Sequence, residues 1–260
     1  MTASDVAAAL ARVAAWRPDA AVVFGSGLEA LPPGATVDEE LTYGELGWPC
    51  TDVPGHGNRL RLARVPAAGG GLLRLALAGG RPHGYEGWDR ADLERPVSDL
   101  AAAGAARVLL TNSCGALRPG IEVGAIVSCG EVVDLQTAPA TDVPPRLSVC
   151  SAHEAAAVAA SPAPLGAHVG SYVAVAGPQF ETAAEAIWLA GYGDVVGMSA
   201  APEVRAARAA GAGCCLLALV VNRAAAVGSH EDVLACAGRL AARLSAGLAA
   251  VVLARWPELA

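Results

Sequence analysis

The stretch LLRLALAGGRPHGYEGWDRADLERPVSDLAAA, residues 72–103, contains the pattern that decides the fold. Its first part, Leu72–Ala78, is a short and mostly apolar run, which predicts a strand. A polar loop bracketed by glycines follows at Gly80–Gly87, and the segment Ala91–Ala103 after it predicts a helix. Strand, loop and helix in this order are typical of an α/β protein, in which helices cover a largely buried sheet.

The same alternation of short apolar runs and alanine-rich segments extends along most of the chain. Further strands are predicted at Ala20–Phe24, Arg107–Thr111, Ala125–Ser128, Ser171–Ala176, Asp194–Gly197 and Cys214–Val221. Further helices are predicted at Ser4–Trp16, Ala152–Ala160, Thr182–Ala190, Pro202–Ala210 and His230–Arg255. Thr137–Pro145 is predicted to be a loop, and no shift in composition marks a domain boundary. The sequence therefore predicts one α/β domain over residues 1–260, with helices around a central sheet.

Charge and composition argue against several classes of partner. All 18 basic residues are arginine and the net charge is −7, so neither a nucleic acid nor an anionic membrane is an expected partner. The absence of lysine also excludes a Schiff-base or phosphate-binding lysine. The longest uncharged apolar run, Ala209–Val221, is shorter than the roughly 20 residues that a membrane-spanning helix needs. The first residues lack the basic start and continuous apolar core of a signal peptide, so a soluble protein is expected.

The seven cysteines contain no CxxC pair, and Cys214 and Cys215 lie inside an apolar run. This pattern argues against both a zinc site and a secreted disulfide framework. We therefore expect reduced thiols, a cytoplasmic location and no metal.

Polar motifs follow several of the predicted strands, where α/β enzymes usually build their sites. The loop Gly80–Gly87 is the densest of them, because it carries Arg81, His83, Tyr85 and Glu86 within a few residues. The planar guanidinium of Arg81 suits an oxyanion such as phosphate. A solvated loop held by a salt bridge is the alternative interpretation of this stretch taken alone.

The strand Ala20–Phe24 runs into Gly25-Ser26-Gly27, where glycines would let backbone N–H groups approach an anion. This motif is weak alone, since a GSG sequence is more often only a turn. It is neither GxGxxG nor a P-loop, so dinucleotide and ATP binding find little support.

Two further motifs lie between a predicted strand and a predicted helix. AGPQFET (176–182) places Glu181 near a helix start, where a carboxylate could bind a ligand or cap the helix. VGMSAAPE (196–203) places Ser199 close to a helix N-terminus, which favours an anion. Asn222 ends the last strand and His230 follows it, although each residue taken singly is more often structural.

In combination, the order GSGL, VPGH, GRxHxYEG, TNxxGxL, AGPxFET, VGMSxxPE and VN resembles the trimeric purine nucleoside phosphorylase family. The resemblance extends from about Ala20 to His230. It implies a single domain with a distorted mixed sheet, and a homotrimer with sites near the subunit interfaces. The implied reaction splits 6-oxopurine nucleosides with inorganic phosphate into a free base and a pentose 1-phosphate, with no cofactor.

The resemblance also implies a role for individual residues. Phosphate would be bound by Ser26, Arg81, His83, Ser199 and a backbone N–H near Cys114, with His56 and Glu86 nearby. The nucleoside would contact Tyr85 and Met198 at the pentose, Phe180 at the base or sugar, His230 at the 5′-hydroxyl, and Glu181 and Asn222 at the base. His83, Glu181 and Asn222 would be the catalytic residues.

The chemistry of the base agrees with these roles. The leaving purine becomes negatively charged, so a donor such as the Asn222 amide at N7 or O6 acts selectively in the transition state. Glu181 would accept the N1–H of a 6-oxopurine, whereas adenine would present a lone pair to the carboxylate. The related methylthioadenosine phosphorylases carry aspartate at the position of Asn222, which favours the 6-oxopurine branch.

The sequence departs from the family pattern at three places. TNAAGGL is replaced by a motif containing Ser113, Cys114 and Ala116, and the usual DHIN is reduced to Glu131–Asp134. The loop Gln136–Leu147 that follows is short and lacks the family's aromatic residue. These departures leave two alternatives open: a phosphorylase for a 5′-modified nucleoside, such as a 5′-methylthio substrate, and a catalytically weak nucleoside-binding protein.

Overall fold

The computed structural model describes residues 2–67, 70–137, 143–159, 168–226, 229–239 and 241. Within these residues, ten strands form one mixed sheet, in the order β10-β6-β8-β9-β5-β1-β4-β3-β2, with β7 paired to β6. The strands are β1 Ala20–Val23, β2 Thr36–Thr42, β3 Arg59–Pro66, β4 Leu72–Ala78, β5 Arg107–Ala116, β6 Ile126–Asp134, β7 Arg146–Ser148, β8 His168–Ala174, β9 Val195–Gly197 and β10 Gly213–Arg223.

The sequence of the central strand β1 is a continuous apolar run because both of its faces are buried. Ala21 and Val23 pack into one hydrophobic cluster, while Ala20 and Val22 pack into a second cluster. Successive side chains of a strand point to opposite faces, so both faces of β1 are covered. Its neighbours β4 and β5 run parallel to it.

One half of the sheet closes on itself. β5 pairs with β10, β10 with β6, β6 with β8, β8 with β9, and β9 with β5 again. Closing a sheet requires irregularities, and the β10–β5 pairing shifts register between Val220 and Asn222, opposite Cys114 and Gly115. The predicted single α/β domain with a distorted mixed sheet is confirmed. That this domain includes all residues 1–260 stays a prediction.

The helices pack around this sheet. They are α1 Ala3–Trp16, α2 Arg90–Ala102, α3 Ala152–Ala159, α4 Ala183–Leu189, α5 Ala201–Ala209 and α6 at residues 230–239, and Gly84–Glu86 forms one 3₁₀ turn. Among the described residues, no helix is both long and apolar enough to cross a bilayer. The predicted helix His230–Arg255 and the predicted loop Thr137–Pro145 both extend beyond the described residues.

The predicted strands differ from the observed ones mainly at the edges of the sheet. β4 has the predicted bounds, but β5 and β6 run further than the apolar runs that predicted them. The strands β2, β3 and β7 were not predicted. β2 is an edge strand and exposes most of its residues, so it has no apolar run to mark it. β3 alternates Arg and Leu, the ordinary signature of a half-buried strand, and that signal was available in the sequence.

Candidate active site

A cavity of about 460 Å³ opens at the carboxyl ends of the central strands. Ser26 follows β1, Arg81 follows β4, and Cys114 and Asn222 lie near the ends of β5 and β10. These four strands run in the same direction, so their carboxyl ends meet at one edge of the sheet. The parallel direction of these strands therefore brings residues that are distant in sequence to the same edge of the sheet.

Most of the predicted site residues line this cavity. They are Ser26, Arg81, His83, Tyr85, Cys114, Phe180, Glu181, Met198, Ser199, Asn222 and His230. His56 and Glu86 do not line it, and each lies behind a residue that does. His56 contacts Ser26 and Glu86 contacts His83. That both lie near a bound phosphate stays a prediction.

His56 supports Ser26 from behind. Its Nε2 lies 3.0 Å from Ser26 Oγ, and its ring centroid lies 5.6 Å from that of His83. Burial, together with the charges of nearby His83 and Arg81, lowers the pKa of His56 to about 3. The imidazole is therefore neutral at physiological pH, and its bond to Ser26 joins two neutral groups.

Glu86 orients His83 in the same way. One carboxylate oxygen accepts from the His83 backbone N–H at 2.7 Å and lies 3.3 Å from Nδ1. The other accepts from Thr51 Oγ1 at 2.8 Å. Burial opposes ionisation of Glu86, but the hydrogen bonds from His83 and Thr51 outweigh it and lower the pKa to about 2. With Nδ1 beside this carboxylate, Nε2 of His83 is the ring nitrogen left for a ligand.

Arg81 is almost entirely buried, with 2% of its surface exposed. Its Nε donates to the Glu203 carboxylate and its Nη1 donates to the Thr111 carbonyl at 2.6 Å. Nη2 has no hydrogen-bond partner among the described residues, and neither has Asn112 Oδ1. Two of the five N–H groups of the guanidinium are therefore engaged by protein groups, and Nη2 is the nitrogen whose two N–H groups are both unpaired within the described part of the chain. That Arg81 binds an oxyanion stays a prediction.

Ser199 also lines the cavity, just before α5. Its Oγ lies 3.4 Å from Asn112 Nδ2 and 3.4 Å from the hydroxyl of Tyr172, a fully buried residue of β8. Ala200, the next residue, has a φ of 70°, a conformation that a residue with a Cβ rarely adopts. Such local strain is typical of positions where a side chain must be held in one direction.

Sequence reasoning assigned no role to Tyr172, Asn112 or Glu203. Asn112 and Glu203 belong to the motifs TNxxGxL and VGMSxxPE, so their place in these motifs was an available signal. Tyr172 carried no signal, because it contacts Ser199 only through the pairing of β8 with β9. Glu231 also lines the cavity beside His230 and was not singled out.

Cys114 contributes no charge to this site. It lies in the hydrophobic core with 3% of its surface exposed, and burial raises the pKa of its thiol. The register shift of β10 lies directly opposite, next to Asn222. A bulge of this kind leaves backbone groups outside the strand ladder.

Glu181 and Asn222 also line the cavity. The cap of α4 is Thr182, whose side chain accepts from the Glu185 backbone N–H, while the Glu185 side chain accepts from Thr182. Glu181 is therefore not the helix cap, and burial raises the pKa of its carboxyl group. Asn222 donates one amide N–H to the Arg223 carbonyl at 3.0 Å, which leaves the second N–H of that amide.

Tyr85 and Met198 face each other across Gly177. A Cβ at Gly177 would overlap the sulfur of Met198 and lie 2.9 Å from the Tyr85 ring, so the backbone needs glycine there. Tyr85 also stacks on His83, with ring centroids 4.9 Å apart. His230 Nε2 lies 3.1 Å from the Pro54 carbonyl oxygen at the rim of the cavity.

Among the described residues, no group of three or more His, Cys, Asp or Glu side chains is arranged as metal ligands would be. All seven cysteines are free.

Comparisons with known proteins agree with the motifs. The model of the Phosphorylase superfamily matches residues 19–253. Purine nucleoside phosphorylase of Mycobacterium tuberculosis is 35% identical, over 90% of this chain and 88% of the relative. The Bos taurus enzyme of the same name is 31% identical, over 87% and 85%.

Solved structures give the same result. Schistosoma purine nucleoside phosphorylase in complex with hypoxanthine superposes with a TM-score of 0.79 at 25% identity, over 97% of this chain and 96% of that one. The Schistosoma mansoni enzyme in complex with inosine gives 0.77 at 25% identity, over 97% of both chains. The chain therefore belongs to the phosphorylase superfamily and, within it, to the purine nucleoside phosphorylases.

Proposed function

We propose that this protein catalyses the reversible phosphorolysis of 6-oxopurine nucleosides, converting inosine, guanosine and their deoxy forms into a free base and a pentose 1-phosphate. The observation that carries the proposal is that one cavity is lined by two different sets of groups. Ser26, His83, Arg81 and Ser199 supply hydroxyls, an imidazole and a buried guanidinium, and we assign them to a polar end that binds phosphate. Glu181 and Asn222 supply a carboxylate and an amide, and we assign them to the other end, which binds the base.

The polar end suits inorganic phosphate, which is the co-substrate of the proposed reaction. Ser26 and Ser199 can each donate a hydrogen bond, His83 can donate through Nε2 as the imidazolium, and Arg81 supplies positive charge. His56 and Glu86 hold Ser26 and His83 in place, since each is bonded to one of them. The register shift beside Cys114 supports a contribution from a backbone N–H there.

The reaction forms one bond and breaks another at C1′ of the pentose. A phosphate oxygen bonds to C1′ as the C1′–N9 bond breaks, and the electron pair of that bond goes to the purine. Asn222 donates to N7 or O6 of the departing base, and Glu181 accepts its N1–H. Bound phosphate is both the nucleophile and the negative charge beside the oxocarbenium-like sugar. No covalent enzyme intermediate and no cofactor are needed.

Tyr85, Met198 and Phe180 form the walls between these two ends and would contact the sugar and the base. His230, at the rim, would face the 5′-hydroxyl. The assembly we propose is a homotrimer, and the seven free cysteines support a reducing, cytoplasmic location in purine salvage.

The test is base release from inosine, guanosine and adenosine, each with and without inorganic phosphate, followed by chromatography. We expect hypoxanthine and guanine to be released only with phosphate, and adenine to be released far more slowly. Release without phosphate would identify a hydrolase instead. Tight nucleoside binding with no release would identify a binding protein of the same fold.

A 5′-modified nucleoside is the second candidate substrate, because the rim beside His230 is apolar at Val53, Pro54 and Val233. His230 Nε2 is also engaged by the Pro54 carbonyl. Comparing kcat/KM for inosine and 5′-methylthioinosine decides between the two substrates. We expect inosine to be preferred, since a hydroxyl can replace the Pro54 contact of His230 and a thioether cannot.

A further inference from the structure

The motif VGMSAAPE contains a buried acid to which the proposed reaction assigns no role. Glu203, in the first turn of α5, has 6% of its surface exposed and pairs with Arg81, from a motif more than a hundred residues earlier. A buried arginine needs such a partner, because an unpaired charge in the interior is strongly unfavourable. That requirement alone explains the presence of an acid, but not where the acid contacts the guanidinium.

The contact geometry is more specific than charge neutralisation. Glu203 binds Nε of Arg81, and the Thr111 carbonyl binds Nη1. Because the guanidinium is planar and rigid, holding two of its nitrogens determines the direction of the third. That third nitrogen, Nη2, is buried without a partner, and the residue lines the cavity.

The surrounding backbone restricts Arg81 further. The hydroxyl of Tyr43 donates to the carbonyl of Gly80 at 2.7 Å, directly before Arg81. A Cβ at Gly80 would lie 2.8 Å from the Tyr43 ring, so the main chain is packed tightly against it. On the other side, Ala200 and Pro202 set the start of α5 and hence the position of Glu203.

We propose that Glu203 is the positioning residue for phosphate: together with the Thr111 carbonyl, it directs toward the anion Nη2 of Arg81, the guanidinium nitrogen that has no partner among the described residues. The inference rests on the proposed phosphorolysis. In this proposal, Glu203 and Ser199, which belong to the same motif VGMSAAPE, both contribute to phosphate binding. Ser199 contacts phosphate directly, and Glu203 acts on it through Arg81.

The experiment compares the phosphate KM and the nucleoside KM of wild type, Glu203→Gln and Glu203→Ala. Gln keeps an oxygen that can accept from Arg81 Nε, whereas Ala removes the contact. We expect the phosphate KM to rise several-fold in Glu203→Gln and on the order of tenfold to a hundredfold in Glu203→Ala, the range for losing a hydrogen bond to a charged group. The nucleoside KM at saturating phosphate is expected to stay within about twofold.

The direction in which the phosphate KM changes shows whether Glu203 positions Arg81 or only neutralises its charge. If Glu203 served only to neutralise Arg81, removing its charge would leave the cavity more positive, and phosphate would bind more tightly. A phosphate KM that falls or stays constant in folded Glu203→Gln therefore overturns the proposal. An equal loss in both KM values, with no partial rescue by Gln over Ala, indicates a general structural defect and overturns it as well.

Asp134→Asn is the matched control. Asp134 is 1% exposed and pairs with Arg205 of the same helix α5, but neither residue lines the cavity. This variant should lower thermal stability as the Glu203 variants do, yet leave the phosphate KM unchanged. If Glu203→Ala does not fold, Glu203→Gln alone carries the test. A wild type without phosphate-dependent base release would refute the proposed function itself, which is a different result from an unaltered phosphate KM in an active variant.

Discussion

At the scale of single residues, we expect the choice of base to depend on two side chains that line the cavity. Asn222 belongs to β10, just past the register shift, and keeps one amide N–H beyond the one that it donates to Arg223. Glu181 precedes the cap of α4 and is partly buried. An amide donor and a carboxylate acceptor together match O6 or N7 and the N1–H of a 6-oxopurine, and mismatch adenine.

Asn222→Asp should weaken turnover of inosine and relax discrimination against adenosine. A carboxylate cannot donate to O6 unless it is protonated, and it can accept from the 6-amino group of adenine. The measurement is the ratio of kcat/KM for inosine to that for adenosine, with the phosphate KM as an internal control that should not move. An unaltered ratio would exclude Asn222 from base recognition.

The pH profile should report the ionisation of Glu181. Burial raises the pKa of its carboxyl group, and the ionised form is the one that accepts N1–H. We therefore expect kcat/KM for inosine to fall as the pH drops through that raised pKa, at a higher pH than an ordinary glutamate would cause. His56, with a pKa of about 3, and Glu86, with a pKa of about 2, titrate too low to produce this limb.

Glu181→Gln should reduce turnover by orders of magnitude and abolish the acidic limb. Glu185→Gln is the matched control, since a glutamine can still accept from Thr182 in the cap of α4. The acidic limb should persist in this variant but move to lower pH, because the charge of Glu185 contributes to the raised pKa of Glu181. An acidic limb that persists in Glu181→Gln would assign the titration to another group. A mild effect of Glu181→Ala on turnover would show that Glu181 does not anchor the base.

At the scale of elements, the short helix α4 begins directly after Glu181, so the stability of this helix affects the position of a residue that lines the cavity. It spans Ala183–Leu189, and both partners of its capping box, Thr182 and Glu185, are present. A helix this short depends on its cap and on packing, because isolated helices of fewer than about 12 residues are marginal in water. The cap residue is also the chain neighbour of Glu181.

Thr182→Ala should lower stability by about 1 kcal/mol and raise the nucleoside KM several-fold, since losing the cap loosens the turn that presents Glu181. Thr2→Ala is the control, because Thr2 and Asp5 form the same capping box on α1, away from the cavity. Thermal unfolding and inosine kinetics check both variants. Equal effects of the two substitutions on the nucleoside KM would contradict the coupling between the α4 cap and the base site.

At the scale of the whole molecule, one face beside the cavity exposes large apolar side chains. Ile187 and Trp188 of α4 are 78% and 53% exposed, and the Trp188 ring lies 4.8 Å from that of Tyr192. Phe180, in the cavity wall, is also 39% exposed. Adjacent exposed apolar residues indicate a surface that another protein covers.

We expect this face to lie between subunits of the proposed homotrimer. Sedimentation or light scattering should give three times the chain mass of 25.9 kDa. The substitution Trp188→Arg should shift the mass toward the monomer, because a charge would be buried in an apolar contact. Leu72→Arg is the control: Leu72 is 57% exposed at the start of β4 and should leave the mass unchanged. A monomeric wild type would contradict the trimer.

The sequence by itself determined the α/β class, the central strands and the location of the site. A continuous apolar run such as Ala20–Phe24 indicates a strand that is buried on both faces, and such a run can be recognised within a short window of sequence. The motifs after these strands predicted most of the cavity lining, because parallel strands place their carboxyl ends at one edge. The family could be recognised from the same motifs.

Only the tertiary structure decided which of these residues touch each other. The pairs Arg81–Glu203 and Ser199–Tyr172 join distant segments through strand order and helix packing, which no periodicity encodes. The edge strand β2 escaped prediction for a related reason, since its place in the sheet comes from pairing with β3 while most of its own residues are exposed. The buried surroundings of each side chain then determine its chemical state: one nitrogen of Arg81 has no partner among the described residues, and His56 is neutral. These are properties of the surroundings of a side chain and cannot be derived from its identity.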